Sequence, residues 1–112
     1  MHNQHNDKSM IADVQKVVSR FYRVPLAKLL AKQRLDETIS FPRQLAMYLC
    51  RIMTETSLEA IGKSFGGRDH GTVMHACRIV KNRIETEPEF GLFVEIFKGR
   101  LTQELVTDGA FI

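Results

Sequence analysis

Residues 66–78 read GGRDHGTVMHACR, and this stretch decides the fold. Its two consecutive glycines interrupt a short apolar helical pattern, because glycine adopts backbone conformations that a helix cannot continue. Asp69 follows at a position typical of a helix N-cap, whose side chain accepts hydrogen bonds from the first free amide groups. The stretch therefore predicts a sharp turn that is followed at once by a new helix.

The new helix is predicted to be long and amphipathic. Apolar side chains recur along one face at helical spacing: Val73, Ala76, Cys77, Val80 and Ile84. The opposite face carries small, polar and basic residues: Gly71, His75, Arg78 and Asn82. This face has no acidic residue until its far end, and the positive end of the helix dipole adds to its attraction for phosphate.

A shorter helix is predicted before the glycines. Its apolar face covers two to three turns and consists of Leu58, Ile61 and Phe65. Thr56 and Glu59 are spaced as a capping box, and Ser57 is an alternative N-cap. A short helix, a tight turn and a longer helix are typical of a helix-turn-helix. The same pattern also fits two helices that only pack together, so the motif alone leaves DNA binding open.

Helical periodicity also runs through the segment before this motif. The first predicted helix begins at Ser9 and ends near Arg23, since Pro25 opposes its continuation. A short apolar patch at residues 26–30 precedes a long helix in which Pro42 fits the first turn, with Ser40 as its cap. The side chains expected in the core are Ile11, Val14, Val18, Phe21 and Tyr22 from the first helix and Leu45, Ala46, Leu49, Ile52 and Met53 from the second.

The segment after the motif predicts one more helix. Pro88 is expected in a short acidic link, and apolar residues, including Phe93 and Phe97, recur at helical spacing from Leu92 to Leu105. No alternation typical of β-strands is present in the sequence. We therefore predict an all-α, compact domain of five to six helices over residues 9–105, with a disordered tail at residues 1–8 and a second tail at residues 106–112.

Composition and charge narrow the function classes. The chain has 112 residues, of which 44% are hydrophobic, and this suits one domain with its own core. It contains neither a long apolar run nor a signal peptide, and Cys50 and Cys77 fall in apolar helical patterns, so we expect a cytoplasmic protein with buried thiols. Residues 26–84 hold ten Lys and Arg against five Asp and Glu, whereas the remainder is acidic. A basic middle segment favours phosphate-bearing partners.

The residue types around the motif also occur in metal sites and in enzymes with a cysteine nucleophile. Asp69, His70, His75 and Cys77 are possible metal ligands, but the two histidines project about 140° apart around the helix and Cys77 faces the core. The same geometry disfavours Cys77 as a nucleophile with His75 as its base. We therefore expect no enzyme activity, no metal and no cofactor.

A longer stretch resembles a known family. Residues 43–78 read RQLAMYLCRIMTETSLEAIGKSFGGRDHGTVMHACR and resemble the C-terminal DNA-binding domain of the bacterial replication initiator DnaA, with its signature GGRDH–TV–HACR. The resemblance extends over about residues 11–83. It implies a Trp-repressor-like helix-turn-helix fold. It also implies sequence-specific binding to a short double-stranded site, the DnaA box, in replication initiation or its regulation.

The resemblance implies roles for individual residues. Arg34 stands where a loop arginine enters the minor groove, and Asp69, His70 and Gly71 stand where residues read bases in the major groove. Positions that hold the sugar-phosphate backbone are occupied by Arg43, Gln44, Arg51, Arg68, Thr72, His75 and Arg78, and Leu58 completes the predicted DNA-binding set.

Three departures from the family pattern bear on specificity. Gly71 replaces a threonine whose methyl group would touch a thymine methyl. Glu59 replaces a proline near a phosphate, and the loop after Arg34 is acidic and one residue longer than usual. We therefore expect an altered base preference or a reduced affinity. A diverged helix-turn-helix used for protein–protein interaction or transcription regulation is the alternative.

The remaining expectations concern partners and context. We expect double-stranded DNA as the main partner, full-length initiator or regulator proteins as further partners, and no membrane. The domain is expected to be a monomer in isolation and to associate with the nucleoid. The polar lead at residues 1–8 and the tail at residues 106–112 lean toward a free-standing protein rather than an excised domain.

Overall fold

The computed structural model describes the backbone of residues 4–31 and 37–107 and the side chains of residues 7–31 and 38–102. Within these ranges the chain is helical and has no strand, which confirms the predicted all-α class. The helices are α1 (Gln4–Tyr22), α2 (Leu26–Leu29), α3 (Glu37–Met53), α4 (Leu58–Ser64), α5 (His70–Thr86) and α6 (Pro88–Thr107). Helix α3 packs against α1, α2, α4 and α5 and so occupies the centre of the domain. None of the helices in these ranges combines the length and the apolar character needed to cross a membrane.

The core lies where α1, α3 and α5 meet. Most of the apolar residues predicted from helical spacing are fully buried there, among them Val14, Val18, Leu45, Leu49, Ile61, Phe65, Val73 and Val80. Because these side chains come from every element of the motif, the helix-turn-helix and its supporting helices share one hydrophobic core.

Helix α1 begins earlier than the sequence predicts. It starts at Gln4, so residues 4–8, which were predicted to be a disordered tail, form its first turns. Two contacts account for the extension. Met10 is buried in the core, and the Asp7 carboxylate accepts a hydrogen bond from the backbone N–H of Glu55 at 3.3 Å.

Helix α3 also begins earlier than predicted. It starts at Glu37, which places Pro42 inside the helix rather than in its first turn, and Ser40 is a helical residue rather than the N-cap. Pro42 cannot donate its backbone hydrogen bond, which normally opposes an interior position. Ile39 and Phe41, which both precede Pro42, pack against the core, and their packing retains the extra turn.

Helix α6 follows α5 almost directly. Only Glu87 separates the two helices, and Pro88, predicted to lie in a link, is the first residue of α6. Proline suits this position because the first amide of a helix has no intrahelical acceptor. The Arg83 guanidinium lies 4.6 Å from the ring centroid of Phe41 and 4.5 Å from that of Phe90, which fixes the corner between α3, α5 and α6.

Two side chains predicted to be in the core are exposed. Phe21 and Ile52 retain 55% and 41% of their accessible surface. Each lies in the last two turns of its helix, where the neighbouring helices no longer cover the apolar face. Phe21 instead packs at the edge of an aromatic cluster with Tyr22, Phe93 and Phe97, of which only Phe97 is buried. Periodicity thus identified the apolar face of each helix correctly. It did not show where along that face the neighbouring helices cease to bury it.

The turn between α4 and α5 folds back onto Gly62. Gly66 and Gly67 have φ angles of 83° and 80°, a region that favours glycine. The Gly62 carbonyl accepts hydrogen bonds from the N–H groups of Phe65, Gly67 and Arg68 at 3.1, 3.2 and 2.9 Å. A Cβ atom on Gly62 would lie only 1.9 Å from the Arg68 carbonyl oxygen, so no larger residue fits beneath the turn.

We expect Gly62→Ala to destabilise the domain by about 3 kcal/mol or more, because the turn has to move away from α4. Urea unfolding measures the effect. Gly99→Ala is the matched control, since nothing lies within 4 Å of a Cβ at that helical position. It should raise the free energy of unfolding by up to about 1 kcal/mol. Similar small effects of both substitutions would contradict the close approach at Gly62.

Candidate nucleic-acid interface

Two N-caps define the motif. Ser57, rather than Thr56, caps α4, and its hydroxyl accepts a hydrogen bond from the Ala60 N–H at 3.1 Å. Asp69 caps α5 as predicted, and its Oδ1 accepts from the Thr72 N–H at 2.8 Å. The bond from Thr72 favours the ionised carboxylate and holds the pKa of Asp69 below its usual value. The first turn of α5 is thereby fixed with a carboxylate at its tip.

The predicted DNA-facing side of α5 is open to solvent. All of its predicted contact residues are exposed: His70, Gly71, Thr72, His75 and Arg78. Val73, Ala76 and Val80 on the opposite side are fully or almost fully buried. The helix is therefore anchored through one face and presents the other, as a recognition helix requires.

A cavity of about 320 Å³ lies along one flank of α5, between α5 and the first half of α3. Five of the predicted DNA-binding residues come together in its wall. The lining residues are Ser40, Arg43, Gln44, Met47, Arg68, Thr72, His75 and Ala76. Guanidinium, amide, hydroxyl and imidazole groups around one opening can donate several hydrogen bonds to a single anion.

A second groove of about 390 Å³ lies along the other flank of α5. It has an apolar floor and a cationic rim, and its lining residues are Tyr48, Arg51, Ile52, Leu58, Met74, Cys77, Arg78 and Lys81. Arg51, Leu58 and Arg78 belong to the predicted DNA-binding set. Lys81 does not, although its position one helical turn after Arg78 signals that both cations share this side of α5.

Two of the predicted phosphate contacts also hold the fold together. Arg43 is buried, and its guanidinium donates to the carbonyls of Leu29 and Lys28, each at 2.8 Å. Arg68 donates to the Ala31 carbonyl at 2.8 Å. Burial lowers the pKa of both arginines, and for Arg43 the nearby charge of Arg68 lowers it further. These arginines therefore fasten the end of α2 to the motif while their side chains line the cavity.

Arg34, the predicted minor-groove residue, lies outside the described residues. Ala31 is the last described residue before that loop, and its carbonyl accepts a hydrogen bond from Arg68. Arg68 directly precedes the cap of α5, so the start of the loop lies beside the start of the recognition helix. The departures Gly71 and Glu59 are both exposed, and a Cβ on Gly71 would meet only Asp69 Oδ1, at an ordinary 3.5 Å.

The two thiols are poorly suited to nucleophilic chemistry. Burial raises the pKa of Cys77 and raises that of Cys50 far more, so the reactive thiolate is disfavoured at neutral pH. Among the side chains that the structure describes, no group of three or more His, Cys, Asp and Glu residues is arranged to hold a metal ion.

The capped short helix, the glycine turn and the exposed second helix define a helix-turn-helix protein. The family described as bacterial dnaA protein helix-turn-helix matches residues 11–80, and the chain belongs to this family. The chain is also similar to the chromosomal replication initiator protein DnaA of Aromatoleum aromaticum, with 47% identity over 78 residues. This match covers 70% of the chain but only 16% of that relative. The resemblance to the C-terminal domain of DnaA is confirmed.

We expect Arg43→Ala to lower the free energy of unfolding by about 3 kcal/mol, because two carbonyls at the end of α2 lose a charged donor. Arg51→Ala removes the same charge from an exposed position and should change stability by no more than about 0.5 kcal/mol. Thermal and urea unfolding compare the two variants. If Arg43→Ala unfolded like the unaltered protein, its hydrogen bonds to α2 would not support the fold.

Proposed function

We propose that this domain binds duplex DNA in a sequence-specific manner at a site of the DnaA-box type, with α5 in the major groove. The observation that carries the proposal is the exposed half of α5 between two concavities with cationic walls. A helix in the major groove has a phosphate strand on each side. One strand would run along the cavity at Arg68 and the other along the groove at Arg51 and Arg78.

Base reading is assigned to the first turn of α5. His70 is exposed at the tip of the helix and carries hydrogen-bonding groups that can reach a base edge. Asp69 caps the helix, and its exposed carboxylate is assigned a second role, as acceptor for a cytosine amino group. Gly71 offers no side chain, so the base pair beside it would be read only weakly.

Arg34 is proposed to enter the minor groove. The resemblance to the DnaA domain supports this role, and so does the hydrogen bond from Arg68, beside the N-terminus of α5, to Ala31, the last described residue before the loop. Asp36 and Glu37 follow Arg34 within three residues along the chain, and their charges oppose its entry into the negative potential of a narrow minor groove. A weaker minor-groove contribution follows from this acidic loop.

The proposed biological role is the initiation of chromosome replication or its regulation. It rests on the name of the relative, of which the chain spans a small part. Occupying DNA sites at the nucleoid in the cytoplasm requires binding only, so we propose no enzyme activity and no cofactor. A second candidate function, docking of a regulator protein, is favoured by the apolar floor of the groove at Ile52 and Leu58.

Titration onto a DnaA-box duplex and a scrambled duplex at two salt concentrations tests DNA binding. We expect tighter binding to the box and an affinity for both duplexes that falls with salt as counterions are released. Arg51→Ala should weaken binding to both duplexes alike. It should also reduce the slope of log affinity against log salt concentration by about one. His70→Ala should weaken binding to the DnaA-box duplex by about 1–3 kcal/mol and should not weaken binding to the scrambled duplex.

Lys16→Ala is the matched control, because it removes one positive charge from an exposed position on α1 that lines neither concavity. It should leave affinity and salt slope nearly unchanged. Absence of salt-dependent binding to either duplex would exclude the proposed function. Equal affinity for the two duplexes would retain DNA binding and exclude specificity.

Gly71→Thr tests whether the glycine limits base reading. The surroundings leave room for a side chain, so we expect the variant to fold normally. One buried methyl contributes about 0.8 kcal/mol, which corresponds to roughly fourfold tighter binding to a box with thymine at the facing position. Gly71→Ser supplies the hydroxyl without the methyl and should not reproduce the gain. Equal gains from both variants would contradict a methyl contact.

A further inference from the structure

Helix α6 presents an apolar stripe on the side that faces away from the core. Leu92 and Ile96 retain 63% and 53% of their accessible surface, and Gly99 follows one turn later with nothing within 4 Å of a Cβ position. The buried residues of the same helix are Phe90, Val94, Phe97 and Leu101. Leu92, Ile96 and Gly99 are spaced at four and three residues, the spacing by which two helices pack along a seam.

The stripe is independent of the proposed DNA interface. No residue of α6 lines the cavity or the groove beside α5. Exposed Phe21 extends the apolar surface onto α1, since its ring packs against Phe93 at a centroid distance of 5.3 Å. Two large aliphatic side chains and an aromatic ring in one region form a patch of the kind that marks an interaction surface.

The charges beside the stripe indicate what covers it. Glu89 and Arg100 are eleven residues apart, about three helical turns, and therefore lie on the same flank of α6. Glu95 and Lys98 form a salt bridge at 3.2 Å on the other flank. Between residues 89 and 100, each flank thus carries an acidic group toward the N-terminus and a basic group toward the C-terminus.

This charge order is complementary to itself when the helix is reversed. In an antiparallel pair of identical helices, each flank faces the same flank of the other copy. A two-fold axis between Glu95 and Ile96 places Leu92 opposite the open surface at Gly99 of the second copy. It also brings Glu89 within about 3 Å, along the helix axis, of the level of Arg100 in that copy. A parallel pair would instead bring Arg100 toward Lys98 of the other copy.

We propose that the stripe on α6 binds a second copy of this chain in an antiparallel, two-fold symmetric dimer. The stripe spans only about two turns, so the contact is smaller than the roughly 800 Å² per partner of a standard interface. The dimer is therefore weak, and the monomer expected from the sequence prevails in dilute solution. Two copies bound at neighbouring DNA sites would meet at a much higher effective concentration.

Sedimentation equilibrium of the whole chain from about 10 µM to about 1 mM tests the proposal. We expect the apparent mass to rise from monomer toward dimer across this range. Leu92→Glu combined with Ile96→Glu should raise the dissociation constant at least about tenfold. Leu26→Glu introduces a charge at an exposed apolar residue on α2 and should leave this dissociation constant unchanged. Circular dichroism verifies that each variant is folded.

Charge reversal tests the orientation. Glu89→Arg and Arg100→Glu should each weaken the dimer by bringing like charges together, and the two combined should restore it. A chain that sediments as a monomer up to about 1 mM overturns the proposal. So does a dimer that is insensitive to the Leu92 and Ile96 changes, or a double charge reversal that fails to recover. A monomer would leave the stripe to another occupant, such as a regulator protein or a further segment of a longer chain.

Discussion

The whole interface depends on the Gly62 carbonyl. Three backbone N–H groups of the turn converge on this one oxygen, and the absence of a side chain at Gly62 lets the turn lie directly against α4. This approach sets the direction in which α5 leaves the turn. It also sets where Arg68 lies, and through Arg68 the position of Ala31 and the start of the loop that carries Arg34. Helix α5 and Ala31, the last described residue before the loop, are therefore positioned by a contact that lies outside the candidate interface.

The second constraint is that an arginine side chain holds α2 in place through hydrogen bonds to its backbone carbonyls. Helix α2 has only four residues and cannot be stable alone, since isolated helices of this length do not form in water. Arg43 donates to two of its carbonyls, those of Lys28 and Leu29, and buried Leu29 fixes its position in the core. The same side chain lines the cavity beside α5. Fold and interface thus share residues, so a loss of DNA binding on substitution of Arg43 has to be separated from a loss of structure.

The sequence predicted the elements whose signals are local. The glycine pair and the cap at Asp69 located the turn, and the spacing from Val73 to Val80 identified the buried face of α5. The early start of α3 was missed because Pro42 is a strong local signal, whereas the packing of Phe41 that overrides it comes from residues far along the chain. The exposure of Phe21 and Ile52 was missed for a related reason. Periodicity defines a face, but only the neighbouring helices decide how much of that face is covered.

The sequence predicted which residues belong to the candidate site but not how they are arranged in space. The family resemblance assigned Arg51, Leu58 and Arg78 to DNA contact, yet only the folded chain shows that they share one groove with Lys81. The role of Arg43 and Arg68 in stabilising the fold could not be predicted from the sequence either. Their hydrogen-bond acceptors are backbone carbonyls within residues 28–31. Every residue has such a carbonyl, so no residue type in the sequence indicates which one will accept.

The closeness of Arg43 and Arg68 links the stability of the domain to its ligand. Burial lowers the pKa of Arg43 and the charge of Arg68 lowers it further, so the two guanidinium groups repel each other beside a cavity that is open to solvent. An anion that enters this cavity relieves the repulsion. Any ligand that binds the folded state alone shifts the unfolding equilibrium toward that state. The melting temperature of the domain should therefore rise when an anion binds in this cavity.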